Sequence, residues 1–142
     1  MNDTVHLLQA HRSSRSYKSD PIPAEILDAI IESAHRAPTS INSQQVSLVV
    51  VRAASRARIA QIAGGQPWIA QAPVFIAVVV DFYKTGLGVR KAGAEQVIQH
   101  SLEGIISAVS DAGIAMAALM TSARAFGLGI VLLAESGATR RR

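Results

Sequence analysis

The sequence predicts an α/β (α+β) fold, with helices packed on a sheet, and three observations carry that prediction. Residues 46–51 and 74–80 are short, β-branched and almost wholly apolar, the pattern of strands covered on both faces. Around them, apolar residues recur at helical spacing. The apolar mass, 49% of 142 residues, is mostly Ala, Val, Ile and Leu with only 4% aromatic residues, which suits helices packed tightly against a sheet. That length is enough for one compact core and short for two, so residues 1–142 are expected to form a single domain.

Taken in order, Val5, His6, Leu7 and Leu8 space apolar groups as a short first helix would. Pro21 and Pro23 make residues 18–23 a connector. From Ala24, the positions Ile26, Leu27, Ile30, Ile31 and Ala34 follow helical spacing, and Pro38 requires that helix to have stopped. After the first strand, residues 55–63 read as a short helix with Ile59, Ile62 and Ala63 inward, and residues 64–68 as a loop. The second strand ends at Asp81, and both strands read as central. Residues 84–94 hold three glycines with Lys84, Arg90 and Lys91, the composition of a mobile surface segment. A long helical pattern then runs from about Gln96 to Phe126, with small residues on more than one face, which suggests packing on several sides and burial in a subunit interface. Gly127-Leu128-Gly129 ends it, and residues 130–133 begin a third strand.

Several function classes are disfavoured. With no cysteine there is no disulfide, thiolate metal site or cysteine nucleophile, which fits a cytoplasmic protein. Met1-Asn2-Asp3-Thr4 does not start a secretory signal. Residues 104–123 form the longest apolar stretch, but Asp111 interrupts it, and a buried helix is expected rather than a membrane span. The pI of about 10.1 invites a nucleic-acid reading. Three of the positive charges are the terminal Arg140, Arg141 and Arg142, however, which leaves only +1 of the formal +4 for the rest of the chain, so no nucleic-acid partner is expected. His6, His35 and His100 lack a second metal ligand at helical spacing, so no metal is expected. The carboxylates Asp28, Glu32, Glu95, Glu103 and Asp111 form no catalytic dyad that spacing identifies. Ser13, Ser14 and Ser16 lack the glycine elbow of a serine hydrolase, and Gly86-Leu87-Gly88 lacks the third glycine of a dinucleotide fingerprint.

Two segments carry chemistry. His11-Arg12-Ser13-Ser14-Arg15-Ser16-Tyr17 puts two guanidinium groups, an imidazole and several hydroxyls together, a set that suits a phosphate; a solvated basic turn capping a helix is the plainer alternative. Ala37-Pro38-Thr39-Ser40-Ile41-Asn42-Ser43-Gln44 follows a helix and offers short polar groups to a planar ring, or simply ends that helix.

In this order, with a helix between them, the two segments resemble the start of the nitroreductase family of FMN-dependent oxidoreductases, especially its NADPH-dependent flavin and nitro reductase branch. His11, Arg12, Ser13, Arg15 and Tyr17 match the family's basic-Arg-Ser-x-Arg-x-aromatic motif, which implies contacts to the FMN phosphate, ribityl chain and pyrimidine edge. Ser40 and Asn42 match the turn that supplies flavin contacts across the dimer interface. The resemblance also implies an amide from Gln66 near the flavin pyrimidine and a backbone contact at Gly129, with no catalytic side-chain acid or base. It extends from about Leu7 to Ile130.

What the resemblance implies is a mostly antiparallel central sheet flanked by helices, and a homodimer built on the long helix near Gln99 to Phe126. The implied activity passes a hydride from NADPH or NADH, by way of FMN, to a nitroaromatic, quinone or flavin acceptor in alternating half-reactions. From Leu132 onward the sequence departs from the family's glycine-rich continuation, and a shifted or cut reading frame near Val131 is the expectation. The alternative is therefore a shortened, non-catalytic dimeric protein with weak or no flavin binding.

Overall fold

A computed structural model describes residues 2–133. Helix α1 (Asp3–Gln9) starts at Asn2, whose side-chain oxygen accepts the Val5 N–H at 3.1 Å and so satisfies one of the free amides of the first turn. Helix α2 (Ala24–His35) stops before Pro38, as its spacing predicts. Strand β1 (Val46–Val50), helix α3 (Ala53–Ile62), helix α4 (Pro67–Gln71) and strand β2 (Ile76–Val80) follow. Then come helix α5 (Phe82–Lys91), a single 3-10 turn over Ile98–His100 and the 24-residue helix α6 (Leu102–Ala125).

β1 and β2 pair antiparallel, with Val46 opposite Val80, Leu48 opposite Val78 and Val50 opposite Ile76. Among the described residues these are the only two strands of the sheet, so neither is central, and Val49, Val50 and Val79 are exposed. The apolar runs identified strands correctly; helix α6 contacts both strands, and most of their residues are half-buried rather than covered on both faces. No third strand forms at residues 130–133: Ile130 makes one parallel bridge, to Ser13, and lies outside the β1–β2 sheet.

The core lies along α6. Gly104, Ala108, Asp111, Ala112, Ala115 and Ala123 form a buried stripe of mostly small residues, and α2 packs along this helix with Ile30 and Ala34 buried. The Ser33 hydroxyl of α2 donates to Ser122 Oγ of α6 at 3.0 Å. A second cluster joins Ala60, Ala63 and Ile69 with Ile59, Trp68, Phe75 and Leu133. By length and composition α6 could cross a membrane. A buried, fully hydrogen-bonded Asp111 and packing against α2 and both strands instead make it the core helix of this fold.

Other elements depart from the sequence reading. Residues 84–94 are not a loop: α5 spans most of them, capped by Asp81, whose carboxylate accepts the Lys84 N–H at 2.9 Å. The same carboxylate accepts the Ser47 hydroxyl at 2.7 Å, and Lys84 Nζ donates to the Val46 carbonyl, so α5 is tied to β1. These bonds hold the Asp81 carboxyl below its ordinary pKa, the Lys84 amide contributing most and Ser47 next. The long helix starts at Leu102 rather than Gln96, because Ser101 caps it by accepting the Gly104 N–H at 3.0 Å. Ile62 is exposed rather than inward, since the buried face of α3 runs through Ile59, Ala60 and Ala63. The loop at 64–68 ends at Gln66, and Pro67 opens α4 at a first-turn position where no amide is needed.

Candidate functional site

The 11–17 segment is fixed mainly through its backbone. Ser14 N–H donates to the Ile130 carbonyl at 2.8 Å, beside the Ser13–Ile130 bridge, and the Tyr17 hydroxyl donates to the Ser14 carbonyl at 2.7 Å. Arg124 of α6 donates to the Leu7 carbonyl at the end of α1. Burial raises the Tyr17 pKa, and the nearby Arg15 charge partly opposes the shift.

With the backbone pinned, the side chains of Arg12, Ser13 and Arg15 are exposed. Arg12 Nη1 donates to the carbonyl of His11, which is half-buried, and neither Arg12 nor Arg15 pairs with a carboxylate among the described residues. The Arg15 guanidinium lies over the Trp68 ring, 5.9 Å from its centroid, in cation–π range. Trp68 lies two residues after Gln66, whose Nε2 donates to the Ala63 carbonyl at 2.8 Å and so closes the end of α3. The structure therefore brings Arg15 to the 66–68 turn.

Gly129 has a reason the sequence did not show. A Cβ built there would sit 2.6 Å from Ser14 Oγ and 2.9 Å from Ser14 Cβ, so only glycine lets the 11–17 segment lie this close. The helix cap is Gly127 instead: at φ +77° its N–H donates to the Arg124 carbonyl and the Leu128 N–H to the Ala123 carbonyl, the paired bonds of a Schellman ending. An apolar groove of about 800 Å³ opens nearby, lined in part by Tyr17, Trp68, Phe75, Leu119 and Gly129.

Ser40 and Asn42 form a second group, anchored elsewhere on α6. The Asp111 carboxylate, 2% exposed, accepts the Ser40 N–H at 2.8 Å, the Ser40 hydroxyl at 3.3 Å and Gln45 Nε2 at 3.1 Å. Ser40 Oγ also lies 2.5 Å from Ser107 Oγ. Asn42 and Gln44 both adopt left-handed backbone, at φ 52° and 58°, a conformation that is unfavourable for residues with a side chain. The Asn42 N–H bonds to Thr39 Oγ1 at 3.0 Å and its side-chain oxygen accepts Gln44 Nε2 at 2.5 Å. About 20 Å of helix axis separates Asp111 from Arg124 at about 1.5 Å per residue, and no hydrogen bond joins the two groups among the described residues.

Asp111, Gln45 and Ser107 were not singled out as site residues from sequence. A lone carboxylate in a run of Ala, Gly, Ile and Val was the available signal, because such a group is stable in a core only when fully hydrogen-bonded. Its partners lie 66 and 71 positions away along the chain, which only the fold reveals. Arg140, Arg141 and Arg142 lie outside the described residues.

The α+β fold thus carries exposed guanidinium groups in its 11–17 segment and a strained polar turn at residues 40–45. A model of the nitroreductase family matches residues 8–136, and the chain belongs to the nitroreductase family. It is 41% identical over 133 residues to an FMN reductase [NAD(P)H] of Bacillus subtilis, covering 92% of this chain and 53% of that one. Among solved structures, NfrA2 of B. megaterium superposes with a TM-score of 0.87 at 36% identity, over 91% of this chain and 53% of the other. The NADPH:FMN oxidoreductase of Vibrio harveyi, solved with NAD+, gives 0.81 at 29% identity, over 90% and 54%. The chain thus spans about half the length of the relatives it matches.

Proposed function

We propose that this chain is a single-domain, FMN-dependent NAD(P)H oxidoreductase that acts as a homodimer on small acceptors such as nitroaromatics, quinones or flavins. The observation that carries the reading is the cationic set at Arg12 and Arg15, which has no carboxylate partner among the described residues and is held on a backbone that Ser14, Gly129 and Ile130 lock in place. These residues fit FMN: two guanidinium groups and the Ser13 hydroxyl have donors free for a phosphate or a carbonyl-rich ring edge. When bound, FMN supplies the two-electron exchange between a nicotinamide and the acceptor.

In this reading Arg12 and Ser13, flanked by His11, bind the phosphate end. Arg15 is oriented by stacking on Trp68 and places positive charge at the ring edge, where negative charge grows on reduction. Gln66, whose side-chain oxygen accepts no hydrogen bond among the described residues, orients the same edge. Gly129 acts by steric permission, letting Ser13 and Ser14 close on Ile130.

Ser40 and Asn42 are anchored well away along α6 and serve the flavin of the opposite protomer. The homodimer is supported by the apolar face that α6 leaves uncovered: Leu102 is 73% exposed and Val109 59%, with Ile105 and Ile106 beside them. A cytoplasmic location is supported by the absence of cysteine.

Titrating the protein with FMN and following the quenching of flavin fluorescence tests this reading. Saturable binding that Arg12→Ala and Arg15→Ala each weaken about tenfold or more, the scale of one lost charge-assisted hydrogen bond, supports it. Absence of binding favours the second reading, a non-catalytic dimer of the same fold.

A further inference from the structure

We infer that Asp111 is a positioning residue: from inside α6 its carboxylate clamps both ends of the strained 40–45 turn and so sets where Ser40 and Asn42 stand. The inference rests on the flavin-site reading for what the turn is for, and on geometry alone for what Asp111 does. One oxygen accepts the Ser40 amide at 2.8 Å, and the other accepts Gln45 Nε2 at 3.1 Å and the Ser40 hydroxyl at 3.3 Å. Between those two anchor points lie both non-glycine residues with left-handed backbone among the described residues, Asn42 and Gln44. Such a conformation persists only where the surroundings over-determine it. Here a side chain 2% exposed and a partner, Gln45, 3% exposed hold the ends, while the four residues between them are outside the core.

A carboxylate suits this arrangement. Three donors converge on Asp111, and a carboxylate accepts at both oxygens, whereas an amide would turn an N–H₂ toward Gln45 Nε2 or toward Ser40. The position explains why an otherwise small and apolar stripe of α6 carries one acid. It also links α6 to the turn, so that a shift of α6 is transmitted to Ser40.

The test compares Asp111→Asn with the swapped pair Asp111→Asn/Gln45→Glu, in which the new amide donates to the new carboxylate and the pairing is restored with its direction reversed. Two readouts are followed: amide hydrogen exchange across residues 40–45 in flavin-free protein, and the dissociation constant for FMN with the absorbance of the bound flavin. Asp111→Asn is expected to speed exchange of the Ser40 amide about tenfold or more while the amides of α2 stay protected. It is expected to weaken FMN by a similar factor and to shift the flavin band, and the swapped pair is expected to recover both.

A folded Asp111→Asn variant with unchanged exchange at Ser40 overturns the inference, and so does a swapped pair no better than the single variant. If Asp111→Asn does not fold, Gln45→Met severs one clamp and leaves the acid in place. Faster exchange at residues 42–45 then supports the inference, and unchanged exchange overturns it. If the wild-type protein binds no FMN, the flavin-site reading fails while the exchange arm still decides the role of Asp111.

Discussion

Replacing Gly129 by alanine isolates one physical claim, that the 11–17 segment stays in place because nothing projects from residue 129. The added Cβ falls 2.6 Å from Ser14 Oγ and 2.9 Å from Ser14 Cβ, against the roughly 3.5 Å of an ordinary carbon contact. Something must move by several tenths of an ångström. Ser14 cannot rotate away from the clash, because its own Cβ is one of the two atoms met, so the Ser14–Ile130 hydrogen bond must lengthen.

Overpacking of this kind costs about 1–3 kcal/mol. Gly129 is not among the glycines with positive φ, so alanine incurs no backbone strain and gains about 0.4–1 kcal/mol by restricting the unfolded chain. A net loss of about 1–2 kcal/mol follows, or a fall in Tm of about 3–6 °C for a chain of this size. Urea denaturation followed by circular dichroism measures it. The double variant Ser14→Gly/Gly129→Ala removes both clashing atoms and is expected to show a favourable coupling of about 1 kcal/mol in a double-mutant cycle. A neutral or stabilising Gly129→Ala would refute the close-approach argument, and zero coupling would show that the clash lies elsewhere.

Ile69, 1% exposed and packed among Ala60, Ala63, Phe75 and Leu133, should lose about 2–5 kcal/mol of stability on truncation to alanine, read from the same urea midpoints. Val109→Asp should leave the far-ultraviolet spectrum unchanged and lower the mass observed by sedimentation equilibrium to that of a monomer; an unchanged assembly would remove the exposed face of α6 from the interface. The Asp81 carboxyl is held below its ordinary pKa, so its contribution is present above the unfolded value of about 3.9 and is lost as pH falls through the folded one. Asp81→Asn should therefore flatten the acid limb of the stability profile below pH of about 4 and leave its slope near neutrality unchanged.

The elements that were legible in the sequence are those whose signal is local. Both strands are short β-branched runs, and α2 combines clear periodicity with Pro38 just beyond its end. Helix α5 was hidden because Gly86 and Gly88 lower helix propensity, while the group that starts it, Asp81, read as the end of a strand. The start of α6 was misplaced because Ile98 continues the helical period, whereas the Ser101 cap decides where the helix begins.

The candidate site divides in the same way. Arg12, Ser13 and Arg15 stand out in the sequence by charge and spacing and by their match to the family motif. The part played by Gly129 became visible only when Ser14 was seen against it, and Asp111 only when Ser40 and Gln45 converged on it. A buried acid states that it has partners but not which ones.

The most direct test of the central claim is the visible absorbance spectrum of the purified protein with FMN added, recorded before and after anaerobic NADPH. The account predicts flavin bands that remain with the protein through gel filtration and bleach when NADPH is added. A protein that emerges colourless after incubation with FMN would contradict it, and would leave the nitroreductase fold here without the cofactor chemistry.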